Sequence, residues 1–127
     1  MPRFSPMPDT LAVVRLPPDA PIPTWAIEPS AFASVTRTSG ELSIVCPEAR
    51  VPPGITAERG WRALQIHGPL QFDAVGILAG FASPLADAGI SIFAVSTFDT
   101  DYVLVKAAQV DRAVEALVAA GHACGDA

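Results

Sequence analysis

Proline placement is the feature that most limits what this chain can become. Eleven of its thirteen prolines stand before residue 54, and a proline gives no amide hydrogen to a helix and clashes with the carbonyl four residues earlier. Residues 10–16 are short and rich in β-branched side chains, and Pro17-Pro18 stop them, as expected of a strand. Pro21, Pro23 and Pro29 restrict the segment around Trp25 to one helical turn at most. Residues 31–37 and 42–45 then read as a hairpin around Thr38-Ser39-Gly40-Glu41, whose residue types suit a tight turn. Pro47, Pro52, Pro53 and Gly54 make the following stretch irregular.

The second half is free to be regular. Residues 61–67 alternate apolar with polar, the period of a strand, and Gly68-Pro69 close it. From Asp73, apolar side chains at Val75, Leu78, Ala82 and Leu85 fall on one helical face, with Asp73 as N-cap and Gly89 as terminator. Pro84 is expected to kink this helix or divide it near Ser83. Residues 90–98 and 102–105 read as strands. Val110, Val114, Leu117 and Val118 trace a second amphipathic helix that ends at Gly121.

Sliding the sequence on itself by sixty residues sets Val35 over Val95, Glu41 over Asp101 and Ile44 over Leu104. A shift of fifty-three sets Leu11 over Leu64 and Val13 over Ile66, so the connector in the first half is seven residues shorter. This implies two copies of a strand, helix, strand, strand, helix unit: residues 1–60 degenerate, residues 61–127 intact. The short turns at 38–41 and 99–101 demand antiparallel neighbours. They select an α+β, ferredoxin-like topology (βαββαβ) over a doubly wound parallel sheet. Residues 90–95 are apolar on both alternating sides, which implies that the sheet face away from the helices is also covered. A homo-oligomer, most simply a two-fold dimer, is expected.

Half of the 127 residues are apolar, 17% are charged and the net charge is -5. That balance suits a compact soluble core and argues against nucleic acid as a partner. The opening residues lack the apolar run of a secretion signal, and the charge-free run 74–86 is too short to span a bilayer and contains Pro84. A soluble, cytoplasmic protein with no membrane association is expected. Cys46 and Cys124 lack the spacing of a zinc site or a thiol redox pair, and read as reduced thiols.

The run Phe72-Asp73-Ala74-Val75-Gly76-Ile77-Leu78, then Ser83-Pro84-Leu85-Ala86, then residues 90–105, closely resembles the ACT-domain family, and within it the CASTOR-type cytosolic arginine sensors and small proteins with two ACT-like units. The resemblance is strong from Trp61 to about Gly121 and weak over residues 10–45. It implies a ferredoxin-like module that binds an amino acid or another small ligand and pairs side by side. It puts ligand contacts at the helix-opening segment, Asp73, Val75, Gly76 and Ile77, and at the hairpin, Thr97, Phe98 and Asp101. Ala74 and Thr100 depart from the arginine sensors, where an acidic and an aromatic residue are expected; both differences argue against arginine.

The chemistry of these positions has two readings. Amides of residues 75–77 at a helix N-terminus suit the α-carboxylate of an amino acid, and Gly76 would let it approach closely. Alternatively, Asp73 is only an N-cap and Gly76 a packing glycine. Asp99 and Asp101 would receive an ammonium group, or they are solvated turn formers. No third carboxylate or phosphate loop accompanies them, so no metal or cofactor is expected. Thr97 and Phe98 would give a hydroxyl and an apolar wall, or simply finish a strand. Trp25 and Trp61 read as packing residues. Glu41, set over Asp101, marks a vestigial second position at most. The leading reading is a non-catalytic amino-acid-binding regulatory protein with its ligand at an inter-unit interface. A protein-interaction module with a decayed site is the alternative, and an enzyme using Asp99, Asp101 or His67 ranks last.

Overall fold

The computed structural model describes residues 2–71 and 75–125. In order, the chain forms β1 (Arg3–Leu16), β2 (Ser34–Arg37), β3 (Leu42–Pro47), β4 (Ala57–Ile66), α1 (Ile77–Asp87), β5 (Phe93–Ser96), β6 (Asp101–Lys106), α2 (Val110–Ala119) and β7 (Ala123–Cys124). Single 3-10 turns occupy Thr24–Ala26, Glu48–Arg50 and Ala107–Gln109. Two compact units emerge: Asp9–Trp61, and Met1–Pro8 together with Arg62–Ala127. The architecture is α+β with a ferredoxin-like strand order.

In the unit of residues 9–61, β2 and β3 form an antiparallel hairpin from Ser34↔Val45 to Arg37↔Leu42. Strand β3 pairs antiparallel with β1 from Leu11↔Pro47 to Leu16↔Leu42, and β1 neighbours β4. Where a full helix would cross the sheet there is only the turn Thr24–Ala26, entered through Pro23, as the proline-imposed limit requires. Ala12, Val14, Leu42, Ile44 and Cys46 make the core, and Trp25 packs against it.

The C-terminal unit keeps both helices. Its hairpin, β5 with β6, runs antiparallel from Phe93↔Leu104 to Ser96↔Asp101. Strand β6 neighbours β4, and β4 neighbours β1, whose first residues also pair in parallel with β7 (Arg3↔Ala123, Phe4↔Cys124). Both units therefore show second strand, third, first, fourth. The fourth strand of the C-terminal unit comes from the start of the chain, and β1 and β4 each contribute one half to each unit. Phe4, Leu64, Ile66, Phe81, Leu85, Val103, Val105 and Leu117 form its core, each fully buried aliphatic or aromatic side chain contributing about 1.5–3 kcal/mol.

Several boundaries differ from the sequence expectation. Helix α1 begins at Ile77, not Asp73, and buries Phe81 and Leu85, so its inward stripe is Ile77, Phe81, Leu85; Val75 is 94% exposed. Pro84 sits inside α1 without dividing it. The expected terminator holds: Gly89 has φ +74, and Ile90 N–H donates to Leu85 O at 2.9 Å. Strand β5 covers Phe93–Ser96 only, because Thr97 already starts the turn. In α2 the buried positions are Val110, Ala113 and Leu117, and Val118 is half exposed.

Turn chemistry also corrects the repeat. Thr38 N–H donates to Glu41 O at 2.9 Å and Thr97 N–H to Thr100 O at 2.8 Å, so the hairpins correspond at an offset of 59 (97 minus 38), not sixty. At that offset Glu48–Arg50 falls on Ala107–Gln109. The first strands share one burial pattern at 11–14 and 63–66, an offset of 52 rather than fifty-three, so the seven-residue difference stands. Glu41 thus corresponds to Thr100 and not to Asp101. Among the described residues no helix is long and apolar enough to cross a membrane.

Candidate functional site

One cavity of about 350 Å³ opens where α1 begins, lined by Leu70, Gln71, Gly76, Ile77, Leu78, Ala79 and residues 97–101. All of these belong to the C-terminal unit.

The helix side is set by Gly76, which has φ +81 and precedes α1 without any side-chain cap. Its carbonyl accepts the first intrahelical bond, from Gly80 N–H at 2.9 Å. The amides of Ile77, Leu78 and Ala79 thus have no partner within the helix, and they sit at the positive end of its dipole. A Cβ built on Gly76 would meet nothing within 4 Å. Glycine is required here by backbone conformation, not by crowding.

The hairpin side is a threonine-locked turn. Thr97 Oγ1 donates to Thr100 O at 2.9 Å and accepts from Thr100 N–H at 3.3 Å. Its one donor is thereby used, and a single lone pair remains for a ligand. Thr100 is 6% exposed and its Oγ1 donates to Ile66 O at 2.6 Å. Leu70 N–H donates to Asp99 O at 2.7 Å. A Cβ on Gly68 would stand 2.9 Å from that same oxygen and 3.1 Å from Thr100 Cβ, so only glycine lets the 68–70 loop reach the turn.

Of the residues singled out from sequence, Gly76, Ile77, Thr97, Phe98 and Asp101 line this one cavity. Val75 does not line it, and Asp73 lies outside the described residues. Leu70, Gln71, Leu78 and Ala79 were not foreseen; Gly68-Pro69 signalled a turn but not where it would lead. Phe98 is 80% exposed. His67, proposed as a reactive group, is absent from the lining; its Nε2 lies 2.8 Å from Ser5 Oγ.

Electrostatically the cavity is two-sided. Asp99 and Asp101 are both among its lining residues, the start of α1 brings amides to it, and no Lys, Arg or His is among the lining residues. No group of three or more His, Cys, Asp or Glu that could hold a metal occurs among the described residues.

A family model described as ACT domain matches residues 56–119, and a model of an N-terminal domain matches residues 9–54. The chain belongs to the ACT-domain family. Among solved structures it is similar to protein Atu0741 from Agobacterium tumefaciens, with TM-score 0.91 and 37% identity over 98% of this chain and 92% of that one. The ligand-free regulatory subunit of aspartate kinase from Thermus thermophilus shares the fold, with TM-score 0.67, 13% identity and 96% and 98% coverage. Among curated proteins it is 37% identical over 100 residues to the Homo sapiens cytosolic arginine sensor for mTORC1 subunit 1. The match covers 71% of this chain and 30% of that sensor, so the chain spans under a third of the length of the curated relatives it matches.

Proposed function

We propose that this protein is a non-catalytic regulatory ACT protein that binds an amino acid in the cavity between the start of α1 and the 97–101 turn. One observation carries the reading: the residues that follow Gly76 at the start of α1 and the acidic residues Asp99 and Asp101 line the same cavity. A zwitterion has the matching ends, its carboxylate toward the amides and its ammonium toward Asp101. The curated relatives are named as cytosolic arginine sensors, which supports amino-acid sensing in the cytoplasm. Ile77, Leu78, Leu70 and the largely exposed Phe98 supply the apolar wall. Residues 61–127 carry the binding function in this reading, and residues 1–60 support them.

A second copy of the chain closes the open mouth, giving a two-fold dimer. The motive is β5, which ends the strand order and, among the described residues, pairs with β6 alone. Sedimentation equilibrium at micromolar protein is expected to give twice the chain mass; the monomer mass at every concentration would remove this part of the reading.

Thermal-shift screening of the twenty amino acids is the direct test. A ligand at a hundred times its Kd adds about 2.7 kcal/mol, which for a chain of this size raises Tm by roughly 6–12 °C. At least one amino acid is expected to shift the wild type by several degrees and Asp101→Ala by less than half as much. No shift with any of the twenty would end the sensor reading. The exposed Phe98 and Val75 favour a second reading, a protein-docking module with a decayed site, which predicts that outcome.

A further inference from the structure

Helix α1 passes through Pro84 unbroken, although the pyrrolidine nitrogen has no hydrogen to give the carbonyl of Gly80 four residues earlier. That oxygen has found another donor. Nε2 of His122 lies 2.8 Å from Gly80 O. A carbonyl oxygen only accepts, so Nε2 is the donor in this contact. His122 is 3% exposed, and its ring stacks on Phe81, the residue after Gly80, with centroids 3.9 Å apart and planes 26° from parallel. Its own amide donates to Leu117 O at 3.0 Å, just after Gly121 turns the chain at φ +103. Nδ1 stands 3.3 Å from Pro2 O. The ring is thus gripped from the end of α2, from the start of the chain and from α1.

We propose that His122 is the positioning residue of α1: its Nε2–H replaces the amide hydrogen that Pro84 removes, and so fixes the helix whose first turn lines the cavity. Proline at 84 and histidine at 122 form one device, in which an intrahelical bond has been exchanged for a tertiary one. The exchange ties α1 to both ends of the chain, which an alanine at 84 would not do. The proposal deepens the reading of the cavity as a binding site, but it concerns how the helix is held, and its test uses no ligand; failure of the amino-acid screen leaves it standing.

The test compares the full chain as wild type, His122→Leu, Pro84→Ala and the double variant, by amide hydrogen exchange at residues 80–87 with β2 and β3 as internal reference. Leaving Gly80 O without a donor is expected to speed exchange in α1 about tenfold or more with proline at 84. In the Pro84→Ala background the helix supplies its own donor, and the same histidine change is expected to cost less than about threefold. Equal acceleration in both backgrounds would overturn the proposal. If His122→Leu alone fails to fold, the double variant is expected to fold, and its failure would count equally against the exchange of donors. Nitrogen NMR of the wild-type imidazole is expected to show the proton on Nε2; an unprotonated Nε2 would refute the pairing independently.

Discussion

Two glycines that frame the cavity work for different physical reasons, and substitution separates them. Gly76 has open space around it but sits at φ +81, where an L side chain costs about 1–2 kcal/mol. Gly76→Ala is therefore expected to lower stability by about that much in urea unfolding without closing the cavity. Gly68 lies 2.9 Å, measured from a built Cβ, from Asp99 O, so Gly68→Ala has to push the turn away. A loss of about 1–3 kcal/mol is expected there, with changed amide shifts at residues 97–101 that Gly76→Ala does not produce. Cys46 is buried, and loss of hydration holds its thiol above the ordinary value of about 9, with Arg50 pulling weakly the other way. Since the folded state holds that proton more tightly, its contribution is intact below the unfolded thiol's pKa and is lost as pH rises through the folded one. A thiol reagent is expected to label exposed Cys124 quickly and Cys46 only on unfolding, with stability falling above roughly pH 9. At this scale Asp101 and Gly76 were singled out through the family resemblance, and both line the cavity. Leu70 and Gln71 were not, because their place depends on the backbone contact between Leu70 and Asp99, far apart in sequence.

Helices and hairpins were legible as kinds and less so as boundaries. The inward stripe of α1 is Ile77, Phe81, Leu85, and the apolar Val75 misled because a one-turn extension toward Asp73 keeps nearly the same period. Phe81 touches Phe4 edge-on, with ring centroids 5.9 Å apart, and stacks on His122. Phe81→Ala is expected to cost about 3–5 kcal/mol by chemical denaturation, since it removes a buried ring that packs on both Phe4 and His122. The two hairpins show the opposite case, in which a local rule decided the register. A threonine that bonds across its own turn opens each, and that bond puts the correspondence at 59, where identity matching alone had preferred sixty. Pro84 predicts a kink or a division near Ser83, and the helix is not divided, because a histidine thirty-eight positions later supplies the missing donor.

For the whole molecule the consequential fact is where the fourth strand of the C-terminal unit comes from. Residues 3–8 lie with residues 62–127 and bring Phe4, 0% exposed, into that core. Removing residues 1–8 is expected to destabilise the C-terminal unit by at least the roughly 3–5 kcal/mol of one lost core aromatic. Circular dichroism melting would show it as a drop of ten degrees or more, whereas a chain with unchanged melting would mean that this strand is dispensable. The sequence by itself determined the fold class, the short proline-bound connector in the first half and the two antiparallel hairpins, since periodicity, missing amide hydrogens and turn chemistry act over a few residues. Only tertiary structure decided that the first strand serves two units, that the 68–70 loop reaches the 97–100 turn and that His122 meets the carbonyl left without an amide partner by Pro84. Each of those rests on a hydrogen bond or a packed ring between residues far apart in the chain, and local sequence carries no record of such a distance.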